Sequence, residues 1–227
     1  MTTHFLTSPL EPAWMRLDAT VGKTDEGWRV PVAFGGAAGE LQAAREGVVL
    51  GDDTPRGKIR VQGDGVDATV RDALGQLPEH VGRMAQAGAV EIVLLRPDLC
   101  HVGTTAPGRD SALAALTAAC RSTPVTITDV THGRFELRLV GPAAPVLLSK
   151  VCGIDFHGSA FGTGQARETS VAKTRQLVIR ADLGDLPAYR LIGGRGLGLY
   201  IWDTLMEAGR DLGVEPIGAD ALLTLAG

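Results

Sequence analysis

Segments with strand and helix patterns alternate along the 227 residues of this chain, and short turns containing Gly or Asp join many neighbouring strand-like segments. Antiparallel strands can be joined by such a tight turn, whereas parallel strands need a crossover of about a dozen residues or more. The pattern therefore favours mixed or antiparallel sheets with helices on one face over a doubly wound parallel sheet. The predicted fold class is α+β.

The order of the predicted elements divides the chain into three segments. Residues 1–39 carry Pro and Gly without a sustained period, which predicts an extended arm with short strands. Two α/β modules of similar element order are predicted over 40–123 and 124–227, so that their boundary lies near 122–124. The predicted helices are 40–46, 66–77, 109–120, 143–152 and 198–211, the predicted strands are 57–63, 89–95, 125–130, 134–140, 168–180 and 188–192, and an amphipathic segment follows at 219–225.

Composition narrows the classes of partner. Twenty-two Lys and Arg against 26 Asp and Glu give a formal charge of −4, whereas proteins that bind nucleic acid or anionic membranes carry a strong excess of basic residues. Neither is an expected partner. No apolar run approaches the roughly 18 residues of a spanning helix, and residues 1–10 lack a signal-peptide pattern, so we expect a cytoplasmic protein. Cys100, Cys120 and Cys152 are odd in number and widely separated, which predicts reduced thiols and no metal site.

A glycine-rich stretch at residues 193–198 lies between a predicted strand and a predicted helix. Such a loop lets backbone amides approach a pyrophosphate, but Leu199 stands where a dinucleotide-binding motif requires its third glycine. The spacing favours a plain strand-to-helix turn over a nucleotide site. His101 in a predicted strand and His132 in a predicted turn lie outside any cluster of metal-ligand spacing, which favours structural over catalytic roles.

Acidic residues are more informative. Asp52 and Asp53 precede Thr54 and a predicted strand, where a pair of acids either caps a turn or faces a pocket, and capping is the commoner case. Glu91 is the third residue of the otherwise apolar run 89–95, and a carboxylate in a buried strand must be paired, hydrogen-bonded or neutralised. Glu91 either opens into a cavity, where it would act as a general base or orient an amine, or marks the solvated start of the strand.

Four stretches, taken in order, resemble segments of one protein family. They are residues 43–63, which contain a Gly-Lys strand, residues 139–155, which contain a Gly-Pro helix start, the set 172–175, 188–191 and 200–209, and residues 213–222. Together they extend over residues 43 to 227. The chain therefore resembles the T-protein (aminomethyltransferase) of the glycine cleavage system and its folate-binding relatives. Residues 129–142, 153–157 and 160–161 are most similar to the branch formed by the γ subunit of heterotetrameric sarcosine oxidase.

This resemblance implies small α/β modules around a central hole that holds a folate, without the C-terminal barrel of the T-protein. Glu91 takes the place of a strand acid near the reacting centre of tetrahydrofolate. The family's Gly-Tyr-Glu strand corresponds to Ala188-Tyr189-Arg190, so that an acid that helps to hold folate or substrate is replaced by a base. Leu225 lies in a terminal segment that lacks the arginines and the glutamate of the family. Each lost polar partner of a buried pterin leaves a penalty of about 1–3 kcal/mol.

Two functions remain open at this point, with tetrahydrofolate as the implied cofactor and Glu91, Tyr189 and Arg190 as the implied site residues. One is an accessory or binding module of one-carbon or N-methyl amine metabolism, docked on a larger flavin-dependent oxidase subunit. The other is a standalone tetrahydrofolate-dependent or repurposed small-molecule transferase or demethylase, self-associated as a homo-oligomer. In the second, Glu91 anchors the ligand and Arg190 recognises an anionic group. The base at position 190, together with the absence of an acid at position 225, favours the module or an altered ligand.

Overall fold

The structure is a computed structural model that describes residues 6–120 and 124–227. Its α helices are α1 (Glu11–Met15), α2 (Ala37–Glu46), α3 (Val66–Leu74), α4 (Arg109–Ala119), α5 (Ala144–Val151), α6 (Gly198–Ala208) and α7 (Ala219–Ala226). Its strands are β1 (Thr20–Lys23), β2 (Arg29–Ala33), β3 (Val49–Asp52), β4 (Gly57–Gly63), β5 (Arg83–Ala87), β6 (Val90–Arg96), β7 (Leu99–Thr104), β8 (Val125–Asp129), β9 (Arg134–Val140), β10 (Ala166–Val171), β11 (Thr174–Arg180), β12 (Ala188–Gly194) and β13 (Glu215–Ile217).

The predicted α+β class with mixed or antiparallel sheets is confirmed. The larger sheet has the order β10-β11-β12-β9-β3-β13, in which β3 pairs antiparallel with β9 and parallel with β13. The smaller sheet has the order β5-β6-β7-β4-β8, with neighbouring strands antiparallel. A separate hairpin pairs β1 with β2.

One compact unit contains the larger sheet, and comprises the described residues up to Thr54 together with Phe135–Thr163 and Glu168–Gly227. Because side chains alternate across a strand, β9 directs Phe135, Leu137 and Leu139 to one face. There they join an apolar core with residues of α1, α5 and α6. The opposite face is divided. Part of it packs in a second apolar cluster with α2 and α7, and the rest carries the charged side chains described below.

The other compact unit contains the smaller sheet and comprises Pro55–Arg134 with Gly164–Arg167. Ile59 and Val61 of β4 pack in an apolar core with side chains of α3 and α4. Both helices therefore cover the same face of this sheet, which leaves the alternate residues of β4, β6 and β7 on the other face. Residues 164–167 join the unit through backbone hydrogen bonds such as that from Met84 N–H to Gly164 O at 2.8 Å.

The compact units interleave along the chain, whereas the predicted segments 1–39, 40–123 and 124–227 follow chain order. The predicted boundary at 122–124 lies, apart from Pro124, outside the described residues. The three-segment division stays a prediction. Among residues 6–120 and 124–227, every helix is too short or too polar to cross a membrane.

Candidate functional site

Neighbouring strands β9 and β12 bring two oppositely charged side chains together in the first unit. Glu136 lies between core residues Phe135 and Leu137 in the sequence, so its side chain points to the opposite face of the sheet. Arg190 occupies the same face from β12, and its Nε lies 3.7 Å from Glu136 Oε1. Each side chain is only 2% exposed. Arg190 is therefore ion-paired inside the protein.

A second ion pair lies beside the first. Arg138, two residues along β9 from Glu136, places its Nε 3.8 Å from Asp53 Oδ2. Backbone geometry fixes this arrangement, because Asp53 N–H donates to Glu136 O at 2.9 Å and Glu136 N–H donates to Thr54 Oγ1 at 3.2 Å. The chain leaving β3 is thus held against β9. The two pairs form a row of alternating charge on one face of the larger sheet.

Asp52 faces the opposite side from Asp53. Its carboxylate accepts hydrogen bonds from Trp14 Nε1 at 3.1 Å and from Thr54 N–H at 3.0 Å. Burial raises the pKa of Asp52, and hydrogen bonds from Ser8, Thr54 and Trp14 oppose that rise only in part. A carboxylate that bonds the backbone two residues on is typical of an Asx turn. This geometry supports the turn-capping interpretation for Asp52.

Tyr189 and Arg190 are sequence neighbours on opposite faces of β12. The Tyr189 ring lies in the apolar core, with its centroid 5.6 Å from that of Phe156 and 6.4 Å from that of Phe161. The Arg180 guanidinium carbon lies 5.7 Å from the Tyr189 centroid. Burial is the largest cause of the raised pKa of Tyr189. The structure thus places the two predicted site residues in different environments and does not bring their side chains together.

Glu91 belongs to the second unit, on the face of the smaller sheet away from α3 and α4. Its Oε2 accepts a hydrogen bond from Arg56 Nη2 at 2.9 Å, and the two side chains are 10% and 17% exposed. Glu91 is thus a buried, paired carboxylate and not a solvated strand start. Its role in catalysis or folate binding stays a prediction.

Three further polar side chains lie on the same sheet face as Glu91, namely those of Lys58, Arg60 and His101. The Lys58 side chain is fully buried, and its Nζ donates to Arg56 O at 2.8 Å. In the predicted strand 57–63, Ile59 and Val61 alternate with charged or polar residues, which is typical of a half-buried strand, so the burial of Lys58 was not expected. The pKa of His101 is lowered to about 3 by burial first, and then by the positive charges of Lys58, Arg56, Arg134 and Arg60. His101 is therefore neutral at physiological pH.

Packing explains two of the four glycines in the glycine-rich stretch 193–198. A Cβ at Gly193 would lie 1.8 Å from Gln176 Oε1, and a Cβ at Gly198 would lie 3.2 Å from Pro9 Cγ. Close approach of neighbouring side chains therefore accounts for these two glycines. In the described part of the chain, no group of three or more His, Cys, Asp or Glu side chains is arranged to hold a metal ion.

Comparison with known proteins assigns the family. The family described as the GCVT N-terminal domain matches residues 10–226. The chain belongs to the GCVT N-terminal domain family. This membership confirms the resemblance that was drawn from the four stretches of sequence.

The relatives of this chain include sarcosine oxidase gamma subunits and aminomethyltransferases. The chain is 36% identical to sarcosine oxidase subunit gamma from Corynebacterium sp. (strain P-1) over 153 residues, which cover 66% of this chain and 71% of that protein. It is 29% identical to an aminomethyltransferase from Synechococcus sp. (strain CC9902) over 221 residues, which cover 88% of this chain and 58% of that protein. The chain thus matches only part of each relative.

Two solved structures show the same fold. The glycine cleavage system aminomethyltransferase T from Bartonella henselae gives a TM-score of 0.84 at 19% identity and covers 98% of this chain and 62% of that one. The heterotetrameric sarcosine oxidase from Corynebacterium sp. U-96 gives a TM-score of 0.67 at 24% identity, with coverage of 77% and 92%. The T-protein-type fold predicted from the sequence is confirmed.

Proposed function

We propose that this chain is a γ-type accessory module of N-methyl amine metabolism, which assembles with a larger flavin-dependent oxidase subunit. The observation that carries the proposal is that the residues at positions 91 and 190, where the family resemblance implies folate-binding acids, are both held in ion pairs. Glu91 is ion-paired with Arg56, and position 190 carries an arginine that is ion-paired with Glu136. The 36% identity to a sarcosine oxidase gamma subunit supports the same assignment.

Tetrahydrofolate, which the family implies, fits these residues poorly. A pterin presents an amide edge whose donors require a carboxylate, and both Glu91 and Glu136 already accept from or pair with arginines. Removing one partner of a buried ion pair costs about 3–5 kcal/mol, so a pterin would have to replace a guanidinium at that cost. We therefore assign no chemical step to folate here. The charged row instead serves to hold β3, β9 and β12 together.

The rival candidate is a standalone transferase or demethylase that uses tetrahydrofolate or another small molecule and associates with itself. The match to an aminomethyltransferase over 88% of this chain favours it. The two candidates differ in what the chain needs. The module assembles with a partner subunit and has no turnover alone, whereas the enzyme turns over without a partner.

Co-expression with the flavin-bearing subunit of the oxidase tests the proposal. The module should elute with that subunit in size-exclusion chromatography at a stoichiometric ratio, and the shared peak should carry the visible absorbance of the flavin. Omitting this chain should lower the yield or the thermal midpoint of the oxidase. Elution as a homo-oligomer, with one-carbon transfer by the purified chain alone, would support the enzyme and contradict the module.

A further inference from the structure

The charged face of the smaller sheet contains a position without a side chain. In the sheet register, Gly103 of β7 lies between Lys58 of β4 and Glu91 of β6. The next row on the same face places His101 between Arg60 and Val93. Neighbouring strands are about 5 Å apart, so the Cα atoms of Lys58 and Glu91 are separated by roughly 10 Å across a glycine. A glycine inside a strand often marks a place where a ligand approaches the backbone closely.

Two buried polar atoms of the neighbouring row on this sheet face lack protein partners. His101 is only 7% exposed, and its buried Nε2 has no hydrogen-bond partner among residues 6–120 and 124–227. Arg60 Nε is also buried and has no such partner in the same ranges. A buried polar atom left without a hydrogen bond costs about 1–3 kcal/mol, so two neighbouring examples call for an explanation. Both lie on one face and in one row of the sheet, as adjacent register partners.

The charged side chains around His101 favour a ligand of negative charge. The charges that act most strongly on His101 are those of four cations, Lys58, Arg56, Arg134 and Arg60. A neutral imidazole can donate one hydrogen bond and a guanidinium Nε–H donates another, so both atoms suit a ligand that accepts. An anion would satisfy both donors and lower the energy of the cations around them. Two donors match the two oxygens of a carboxylate.

We infer that the charged face of the smaller sheet binds a small carboxylate over Gly103, with His101 Nε2–H and Arg60 Nε–H as donors. Arg60 is partly exposed at the sheet surface, which gives the ligand a route of entry. Lys58 contributes positive charge to the site, whereas the charge of Arg56 is balanced by its ion pair with Glu91. This inference goes beyond the proposed function, because assembly with an oxidase subunit requires no ligand at this face.

Acetate is the probe for this site. The full chain, labelled with 15N and 13C, is titrated with sodium acetate at constant ionic strength and neutral pH, while the ring signals of His101 are followed by NMR. The expected result is a saturable shift of the His101 signals, and the His101→Gln variant assigns them. Losing one charge-assisted hydrogen bond of about 1.5–3 kcal/mol corresponds to a weakening of roughly tenfold to a hundredfold in Arg60→Gln.

Matched controls come from the same unit. Arg71 is exposed on α3, where it pairs with Asp67, and His80 is exposed in the loop before β5. Arg71→Gln removes the same charge as Arg60→Gln, and both should leave the fold intact by circular dichroism. His80→Gln is the control for His101→Gln. Should the buried His101 substitution prevent folding, the partly exposed Arg60→Gln variant carries the test alone.

Several results would overturn the inference. They are a linear, unsaturated response of His101 to acetate, equal affinities in Arg60→Gln and Arg71→Gln, or tighter binding of inorganic phosphate than of acetate, which would exclude a site built for a carboxylate. Assembly with the oxidase subunit is measured separately, so the failure of either proposal leaves the other standing.

Discussion

The ion pair between Arg190 and Glu136 provides the sharpest stability prediction. At 3.7 Å, two opposite charges in a medium of effective dielectric constant about 20 attract each other by about 4 kcal/mol. Replacing Arg190 by Met keeps an unbranched side chain as long as arginine's first four atoms and removes the guanidinium and its charge. Because both side chains are 2% exposed, we expect Arg190→Met to lower the free energy of unfolding by about 3–5 kcal/mol.

Tryptophan fluorescence during urea unfolding measures the stability of the compact unit that contains Arg190 and Glu136. The three tryptophans, Trp14, Trp28 and Trp202, all belong to the unit that contains the pair, and the other unit has none. With a slope of about 2 kcal/mol per molar urea, the transition midpoint should fall by roughly 2 M. The matched control is Arg210→Met in the same unit, since Arg210 and Glu207 form an exposed pair that should change stability by at most about 1 kcal/mol.

A double-mutant cycle separates the interaction energy between Arg190 and Glu136 from the other effects of each substitution on stability. Glu136→Gln alone should destabilise the unit, and the double variant Arg190→Met/Glu136→Gln should lose less than the sum of the single losses by about 0.5–3 kcal/mol. A loss below about 1 kcal/mol in Arg190→Met, or additive single effects, would show that the ion pair does not stabilise this unit.

Three further predictions concern packing, titration and reactivity. Gly193→Ala should destabilise the larger-sheet unit by about 1–3 kcal/mol, because the new Cβ would lie 2.6 Å from Cε1 of the core residue Phe135. Gly194→Ala has nothing within 4 Å of its Cβ and should be neutral in the same urea assay. The pKa of the His101 ring is about 3, so its NMR signals should not titrate between pH 5 and 8. The unfolded imidazole binds a proton near pH 6.5, so the free energy of unfolding should decrease as the pH falls from about 6.5 towards about 3. His101→Gln should reduce this decrease. Burial raises the pKa of Cys100 to about 12, so a thiol reagent should modify Cys100 far more slowly in the native protein than in urea-unfolded protein. Peptide mass spectrometry measures the two rates.

Elements with a strong local period were predictable, and elements fixed by distant contacts were not. The predicted strand 134–140 agrees in both bounds with β9, because its alternation of core and charged residues is local information. Strand β13 was missed, since it has three residues, includes Pro216, and is defined by its parallel pairing with β3. Helix α1 was missed because five residues carry little periodicity, and its Trp14 is stabilised by tertiary burial.

The site was predictable in its residue types and not in its pairings. The apolar context of Glu91 required a partner, but Arg56 lies 35 positions away, and only the sheet register brings the two together. The same holds for Glu136, which sequence reasoning did not select because one acid in a strand next to basic residues resembles a solvated face. The alternation Lys58-Ile59-Arg60-Val61 was a signal that one face of β4 is basic, yet the burial of that face depends on the rest of the fold.

A calorimetric titration of the purified chain with tetrahydrofolate measures whether a folate can bind while Glu91 and Arg190 are ion-paired inside the protein. We predict no saturable heat up to millimolar tetrahydrofolate, and the same result for Glu91→Gln and for its control at an exposed acid, Glu79→Gln. Binding with a dissociation constant in the micromolar range, about −8 kcal/mol, that is retained in Glu79→Gln and lost in Glu91→Gln would contradict the account and assign the chain to the folate-dependent enzymes.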